Sequence, residues 1–151
     1  MIVWSGQHSG ESRGASSPNV LSSDRRSATP APILVVDDDP SILDTVRAIL
    51  ESEGYAVVTA RNGKEALEVL ERVTPFLMLL DMRMPVLDGW GVAAALRGTA
   101  HRFPVIVMTA AENATRWARE IEADDHIAKP FELMDLIECV QRHERRERRR
   151  N

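Results

Sequence analysis

The sequence of 151 residues contains a single cysteine and no apolar run long enough to cross a bilayer. One cysteine excludes an intramolecular disulfide framework and any zinc site built from several cysteines. The first ten residues lack both a basic segment and a sustained apolar stretch, so they are unlike a secretory signal. These absences favour a cytoplasmic protein that has no membrane partner. Cys139 lies on the apolar face of a predicted helix and is expected to be a core residue.

Positive charge is scarce in the middle of the chain and concentrated at its end. Residues 33–141 contain 10 basic and 19 acidic residues, whereas residues 142–151 contain six arginines and two glutamates. Such an acidic middle binds nucleic acid poorly by itself, so no direct DNA binding is expected. The arginine-rich C-terminal tail, 142–151, either binds an anionic partner or is the end of the last helix, where positive charge favours the helix dipole. The second interpretation is preferred because arginines outnumber lysines 17 to 2 throughout the chain.

Residues 1–32 differ in composition from the rest of the chain. Ser, Gly, Pro, Asn and Thr dominate, and neither strand nor helix periodicity is present. Such a segment buries too little apolar surface to offset the entropy of ordering it. We therefore predict a disordered N-terminal extension, with a docking arm as the alternative.

From Ile33 onward, short apolar runs alternate with segments of helical spacing. The runs predict five strands, at 33–37, 55–60, 76–81, 104–110 and 126–129. Asp39 and Pro40 are a typical N-cap and first residue of a helix, so Asp39 is predicted to cap a helix rather than to bind metal. The last helix is predicted to begin near Phe131, with these residues facing inward: Leu133, Met134, Leu136, Ile137 and Val140. Five successive strand-then-helix units predict a doubly wound α/β domain over residues 33–141, with a parallel sheet covered on both faces.

Polar side chains stand where the predicted strands end. Asp37 and Asp38 end the first strand, Asp81 the third, Thr109 the fourth and Lys129 the fifth. Ligands of doubly wound sheets bind outside the carboxyl ends of the strands, where these side chains meet. Clustered carboxylates repel one another unless a cation neutralises them, and oxygen ligands suit Mg²⁺. A lysine ammonium and a threonine hydroxyl suit phosphoryl oxygens. The pattern therefore predicts a site for Mg²⁺ and a phosphoryl group.

Four segments, ILVVDDDP, LLDMRMPVLDGW, VIVMTA and AKPF, occur in this order, each at the end of a predicted strand. Together they resemble the receiver domain of two-component response regulators, and the resemblance covers residues 33–141. It implies a flavodoxin-like sheet of five strands in the order 2-1-3-4-5. A single-domain regulator is expected, because the eleven residues after Val140 are too few for a second domain.

The resemblance implies roles for the acidic residues. Asp81 is the expected phosphoacceptor. Asp37 and Asp38 are expected to hold Mg²⁺ or Mn²⁺ beside it, together with Asp81 itself and the backbone carbonyl of Arg83. The Arg83 side chain stands at a position that tunes phosphoryl loss in the family. It either shields or holds the phosphoryl group or is a solvated loop residue.

The resemblance also implies roles around the fourth and fifth strands. Thr109 is the expected switch hydroxyl, and Lys129 is the lysine that pairs with the phosphoryl group and precedes a cis proline. His126 stands where the family usually has an aromatic residue that swings inward on activation. It is either a switch that could also respond to pH or a partly exposed histidine without a signalling role. Glu122 stands where a glycine is usual, which predicts a strained turn before the fifth strand.

The predicted function is that of a response regulator in two-component signalling. It would take a phosphoryl group from a sensor histidine kinase or phosphotransfer protein and then signal to an unknown downstream protein by contact. It would not be a turnover enzyme, although it would catalyse its own Mg²⁺-dependent phosphorylation and dephosphorylation. An adaptor that keeps the fold without being phosphorylated is the alternative, and the complete set of acidic, threonine and lysine positions counts against it. An aspartyl-phosphate hydrolase would want an acid where the chain has Arg83.

Overall fold

Five parallel strands form one sheet in the computed structural model, which describes residues 30–151. The strands are β1 (Ile33–Val36), β2 (Val57–Ala60), β3 (Leu77–Leu80), β4 (Val105–Ala110) and β5 (Asp125–Lys129). Their order is β2-β1-β3-β4-β5, which confirms the prediction. The prediction of a disordered N-terminal extension, 1–32, falls almost entirely outside the described residues.

Five helices connect and follow the strands. They are α1 (Pro40–Ser52), α2 (Gly63–Leu70), α3 (Gly89–Arg97), α4 (Ala111–Glu120) and α5 (Leu133–Arg150). The Asp39 side chain accepts from the Ser41 N–H at 2.8 Å, which confirms it as the cap of α1. Asn62 and Asp88 cap α2 and α3 in the same way and satisfy N–H groups that the first turn leaves unpaired. None of the described helices is both long enough and apolar enough to cross a membrane.

An apolar core lies on each face of the sheet, because successive strand residues point to opposite faces. Helices α1 and α5 cover the face that carries Ile33 and Met108. Helices α2, α3 and α4 cover the face that carries Val36 and Val107. Cys139 is 3% exposed within the first of these cores, as predicted for a small core residue.

The start of helix α5 differs from the prediction. The helix begins at Leu133 rather than near Phe131, since Glu132 keeps an extended backbone as its N-cap residue. Leu133 and Met134 were predicted to face inward, which is wrong, because they are 50% and 54% exposed. The buried stripe of the helix begins only at Leu136, so apolar spacing alone extends it one turn too far.

Helix α5 continues to Arg150, so residues 142–150 are helical. The guanidinium of Arg148 pairs with Glu144 at 2.8 Å, one turn earlier. The same carboxylate accepts a 2.6 Å hydrogen bond from the Tyr55 hydroxyl. An exposed pair of this kind contributes only about 0.3–0.5 kcal/mol, so the hydrogen bond from Tyr55 is the better anchor of this part of the helix.

Two non-glycine residues have left-handed backbone conformations. Glu122 has φ +56°, which confirms the strained turn predicted before β5. Val86, in the loop after β3, has φ +71°, which the sequence did not predict. For a β-branched residue this conformation is unusual and costs about 1–2 kcal/mol.

Candidate metal-binding and phosphorylation site

The sheet brings the predicted site residues to its carboxyl edge. Asp37 directly follows β1 and Asp81 follows β3, and these two strands are paired neighbours. One oxygen from each of Asp37, Asp38 and Asp81 lies within 4.8 Å of the others. Thr109 lies near the end of β4, and Lys129 ends β5. The chain thus assembles an acidic cluster with an adjacent lysine from residues up to 92 positions apart.

The loop that carries Asp81 is fixed by backbone contacts. The Asp81 N–H donates to the carbonyl of Val36 at 2.9 Å, and its Oδ1 accepts from the Met82 N–H at 2.8 Å. Gly89, at the start of α3, donates its N–H to the Met82 carbonyl at 2.9 Å. A Cβ at Gly89 would lie 2.8 Å from the Met82 Cα, so a side chain there would push the loop away from α3.

Two buried carboxylates share one ammonium group. Asp37 is 1% exposed, and its two oxygens accept from the Asp39 N–H and from Lys129 Nζ. The same Nζ lies 3.6 Å from Asp81 Oδ1. Asp38 is exposed at the mouth of the cluster. Three carboxylates and one ammonium leave the cluster with an excess of negative charge.

Asp81 is 6% exposed, and both its burial and this excess charge perturb its pKa. Burial raises the pKa of Asp81 to about 6, and the negative charge of Asp37 acts in the same direction. The ammonium of Lys129 and the Met82 N–H lower the pKa but do not compensate. The carboxylate is therefore ionised at neutral pH at the expense of stability.

The donor set fits a hard divalent cation. Mg²⁺ and Mn²⁺ prefer oxygen ligands, and a site of one to three carboxylates leaves room for waters and a phosphoryl oxygen. A divalent charge would also offset the uncompensated charge of Asp37, Asp38 and Asp81. The Arg83 carbonyl, predicted as a further ligand, belongs to the same loop, two residues after Asp81.

Thr109 and His126 lie on the same face of the sheet but in different surroundings. Thr109 is 4% exposed and pairs with Ala128, while His126 pairs with Val107 two residues earlier in the ladder. The His126 ring is exposed and its Nε2 lies 3.5 Å from the Thr115 hydroxyl of α4. The structure brings Thr109 to the acidic edge and leaves His126 outside it.

An apolar groove of about 440 Å³ lies beside Lys129 and was not predicted from the sequence. The Lys129–Pro130 peptide bond is cis, which confirms the expectation. The groove is lined by Ser41, Ile42, Thr45, Lys129, Pro130 and Phe131. It separates the start of α1 from the segment that follows β5.

Asp125 forms a second polar cluster, which the sequence analysis missed. Its Oδ2 accepts from Arg142 at 2.7 Å, contacts His143 Nε2 at 3.1 Å and accepts from the Cys139 thiol at 3.7 Å. Burial alone would raise its pKa, but the hydrogen bonds with Arg142, the His126 N–H and His143 lower the pKa of Asp125 to about 2. The four-residue spacing of 139 and 143 on one helix was the available signal. The groups satisfy one another, so this cluster joins β5 to α5.

The fold and the acidic cluster around Asp81 together define a class of protein: a doubly wound α/β domain whose sheet carries, at its carboxyl edge, several aspartates and an adjacent lysine. Such an edge can bind a divalent cation and present one buried carboxylate to a phosphoryl donor. The response regulator receiver domain family matches residues 33–141, and the chain belongs to this family.

Individual relatives are similar over the same region. Response regulator MprA of Mycolicibacterium vanbaalenii is 38% identical over 110 residues, which are 72% of this chain and 48% of that protein. Response regulator MprA of Mycobacterium tuberculosis is 39% identical over 107 residues, 70% of this chain and 46% of that protein. The chain thus matches about half the length of these curated relatives.

Solved structures show the same fold. The chemotaxis response regulator CheY4 of Vibrio cholerae has a TM-score of 0.69 and 30% identity, over 76% of this chain and 99% of that chain. The receiver domain of NtrX from Brucella abortus has a TM-score of 0.68 and 33% identity, over 74% of this chain and 96% of that chain.

Proposed function

We propose that the chain is a phosphoacceptor in a two-component system, with Asp81 as the accepting residue. The observation that carries the proposal is the position of Asp81: a nearly buried carboxylate at the edge of a receiver sheet, between two further aspartates and Lys129. A histidine kinase or a phosphotransfer protein is the proposed donor. The phosphorylated chain then signals by contact with a downstream protein, without turnover of a separate substrate.

The chemistry needs no general base, because an aspartate is already a nucleophile when ionised. A carboxylate oxygen of Asp81 forms the new O–P bond while the P–N bond to the donor imidazole breaks, and the electron pair stays on the imidazole nitrogen. Lys129 is proposed to pair with a transferred phosphoryl oxygen, which its Nζ position 3.6 Å from Asp81 Oδ1 supports. The Thr109 hydroxyl is proposed to donate a hydrogen bond to another phosphoryl oxygen.

The proposed cation ligands are Asp37, Asp38, Asp81 and the Arg83 carbonyl. When bound, Mg²⁺ or Mn²⁺ would neutralise charge on the transferring phosphoryl group. The lysine alone cannot serve this purpose, since Asp37 already engages its ammonium.

The groove beside Lys129 supports a protein donor as partner. Ile42 and Phe131 supply apolar surface within it, and the exposed Leu133 and Met134 follow shortly in the chain. Exposed apolar surface next to a reactive group is typical of a docking site for another protein. The donor histidine would thus be held next to Lys129 and Asp81.

The test is the gain of one phosphoryl mass after incubation with acetyl phosphate and Mg²⁺. We expect the gain in the unmodified chain and its loss on metal removal or in Asp81→Asn. Asp37→Asn should strongly slow the gain of phosphoryl mass. Asp44 is an exposed aspartate on α1, so Asp44→Asn is the matched control and should leave the rate of this gain unchanged. No gain in a folded, Mg²⁺-binding protein would contradict the proposal and favour the unphosphorylated adaptor.

A further inference from the structure

Arg83 connects the candidate phosphoacceptor loop to helix α4. It follows Asp81 by two residues, and its guanidinium carbon lies 5.0 Å from the centre of the Trp117 ring. This distance is within the range of a cation–π interaction. Within residues 30–151 the guanidinium forms no ion pair, and the Arg83 side chain is exposed. Its charge is therefore available to a new anion at Asp81.

The Trp117 ring is held in place by its neighbours in the helical layer. It is 4% exposed and meets Trp90 of α3 edge-on, with ring centres 5.0 Å apart. Trp90 in turn donates its indole N–H to the Glu120 carboxylate at 2.9 Å. A second guanidinium, that of Arg116, lies 5.8 Å from the Trp117 ring. Arg83 is thus stacked on a ring whose orientation depends on the packing of α3 against α4.

A phosphoryl group on Asp81 would compete with the ring for Arg83. It would add up to about two negative charges and three acceptor oxygens at the edge of the sheet. A charge-assisted, two-pronged pair between guanidinium and phosphoryl oxygens is stronger than a cation–π contact at an exposed site. The guanidinium would therefore leave the ring when the phosphoryl group is present.

We propose that Trp117 is a positioning residue for the phosphorylation site: its indole holds the Arg83 guanidinium in the unphosphorylated protein, and phosphorylation of Asp81 draws that guanidinium off the ring. The release changes the surroundings of Trp117 and with them the packing of α4. This inference rests on the proposed function, that Asp81 accepts a phosphoryl group.

Because the Arg83 guanidinium leaves the Trp117 ring to pair with the phosphoryl group, the cation–π contact opposes the phosphorylated state. Removing the ring in Trp117→Leu should raise the affinity for beryllofluoride, a phosphoryl mimic, by about two- to fivefold, the equilibrium factor of an exposed cation–π contact. Arg83→Ala should lower the affinity. In the Arg83→Ala background, Trp117→Leu should have no further effect.

The experiment titrates the full chain with beryllofluoride and Mg²⁺ in the four members of this double-mutant cycle. Trp117→Phe keeps an aromatic core with a weaker π face, so it should give a smaller gain and guards against misfolding of Trp117→Leu. Arg116→Ala is the matched control, since Arg116 lies over the same ring but belongs to α4; it should leave the affinity unchanged.

A second readout follows the ring itself by ¹⁹F NMR of 5-fluorotryptophan protein. Beryllofluoride should shift the Trp117 resonance in the unmodified chain, and this shift should be lost in Arg83→Ala. The inference is overturned if the two substitutions have additive effects on the affinity for beryllofluoride, or if the Trp117 resonance shifts equally in Arg83→Ala. If the chain still gains phosphoryl mass with acetyl phosphate, the proposed function stands. Failure to gain mass or to bind beryllofluoride would overturn both.

Discussion

Replacement of Asp81 by Asn should stabilise the metal-free protein at neutral pH. Burial and the charge of Asp37 raise the pKa of Asp81 from 3.8 to about 6, so the fold favours the protonated form. The folded chain then binds more protons than the unfolded chain between about pH 4 and pH 6, and stability falls as the pH rises through this window. An asparagine has no charge to bury and escapes this penalty.

The magnitude follows from the shift in pKa. Two pKa units at about 1.4 kcal/mol each give a penalty of about 3 kcal/mol above pH 6. Asp81→Asn loses the ion pair with Lys129, but Lys129 keeps its contact with Asp37. The amide oxygen can still accept from the Met82 N–H, as Oδ1 does now. We expect a net gain of about 1–3 kcal/mol in the free energy of unfolding.

The assay is urea unfolding of both proteins at pH 7.5 and at pH 4, without divalent cations. The difference should be present at pH 7.5 and should be mostly lost at pH 4, where Asp81 is protonated in the folded chain and partly protonated in the unfolded chain. Asp38→Asn is the control, because this neighbouring carboxylate is exposed and should give a smaller gain. Equal or lower stability of Asp81→Asn at pH 7.5, or a gain as large at pH 4 as at pH 7.5, would contradict this prediction.

Three further predictions concern other parts of the molecule. Asp125→Asn should lose about 2 kcal/mol of stability above pH 4, because the pKa of Asp125 is lowered to about 2; the loss should fade as the pH falls from 4 to 2 in urea unfolding. Val86→Gly should raise the free energy of unfolding by about 1 kcal/mol by relieving φ +71°, whereas Val86→Ala, which keeps the Cβ, should gain less. Lys129→Gln should slow phosphorylation by acetyl phosphate by about a hundredfold, since it removes a preorganised cation from the site; an unchanged rate in a mass-based time course would contradict this.

The sheet and the acidic cluster were predictable because both depend on local chemistry and simple topology. Short β-branched runs such as residues 33–36 are buried on both faces, and parallel strands leave their following residues at one edge. Asp37 and Asp81 therefore came together as expected, and the cap formed by Asp39 followed from its position before Pro40.

The features that were missed depend on packing between distant elements. Spacing placed Leu133 and Met134 on the inner face of α5, but spacing does not show where a helix begins to contact the sheet. The contact of Arg83 with Trp117 joins the loop after β3 to helix α4 over 34 residues of sequence, and no local pattern indicates it. The left-handed backbone of Val86 accompanies a tight turn, in which the Leu87 N–H donates to the Pro85 carbonyl at 2.8 Å, and a valine does not by itself indicate such a turn.

Asp81 is the proposed carrier of the phosphoryl group, and chemical trapping identifies the residue that carries it. Borohydride reduces an aspartyl phosphate to homoserine, so the phosphorylated chain is reduced, digested and sequenced by mass spectrometry. We expect homoserine at position 81, dependent on Mg²⁺ and acetyl phosphate. Homoserine at another aspartate, such as Asp37 or Asp38, or at none in a chain that has gained phosphoryl mass, would contradict it.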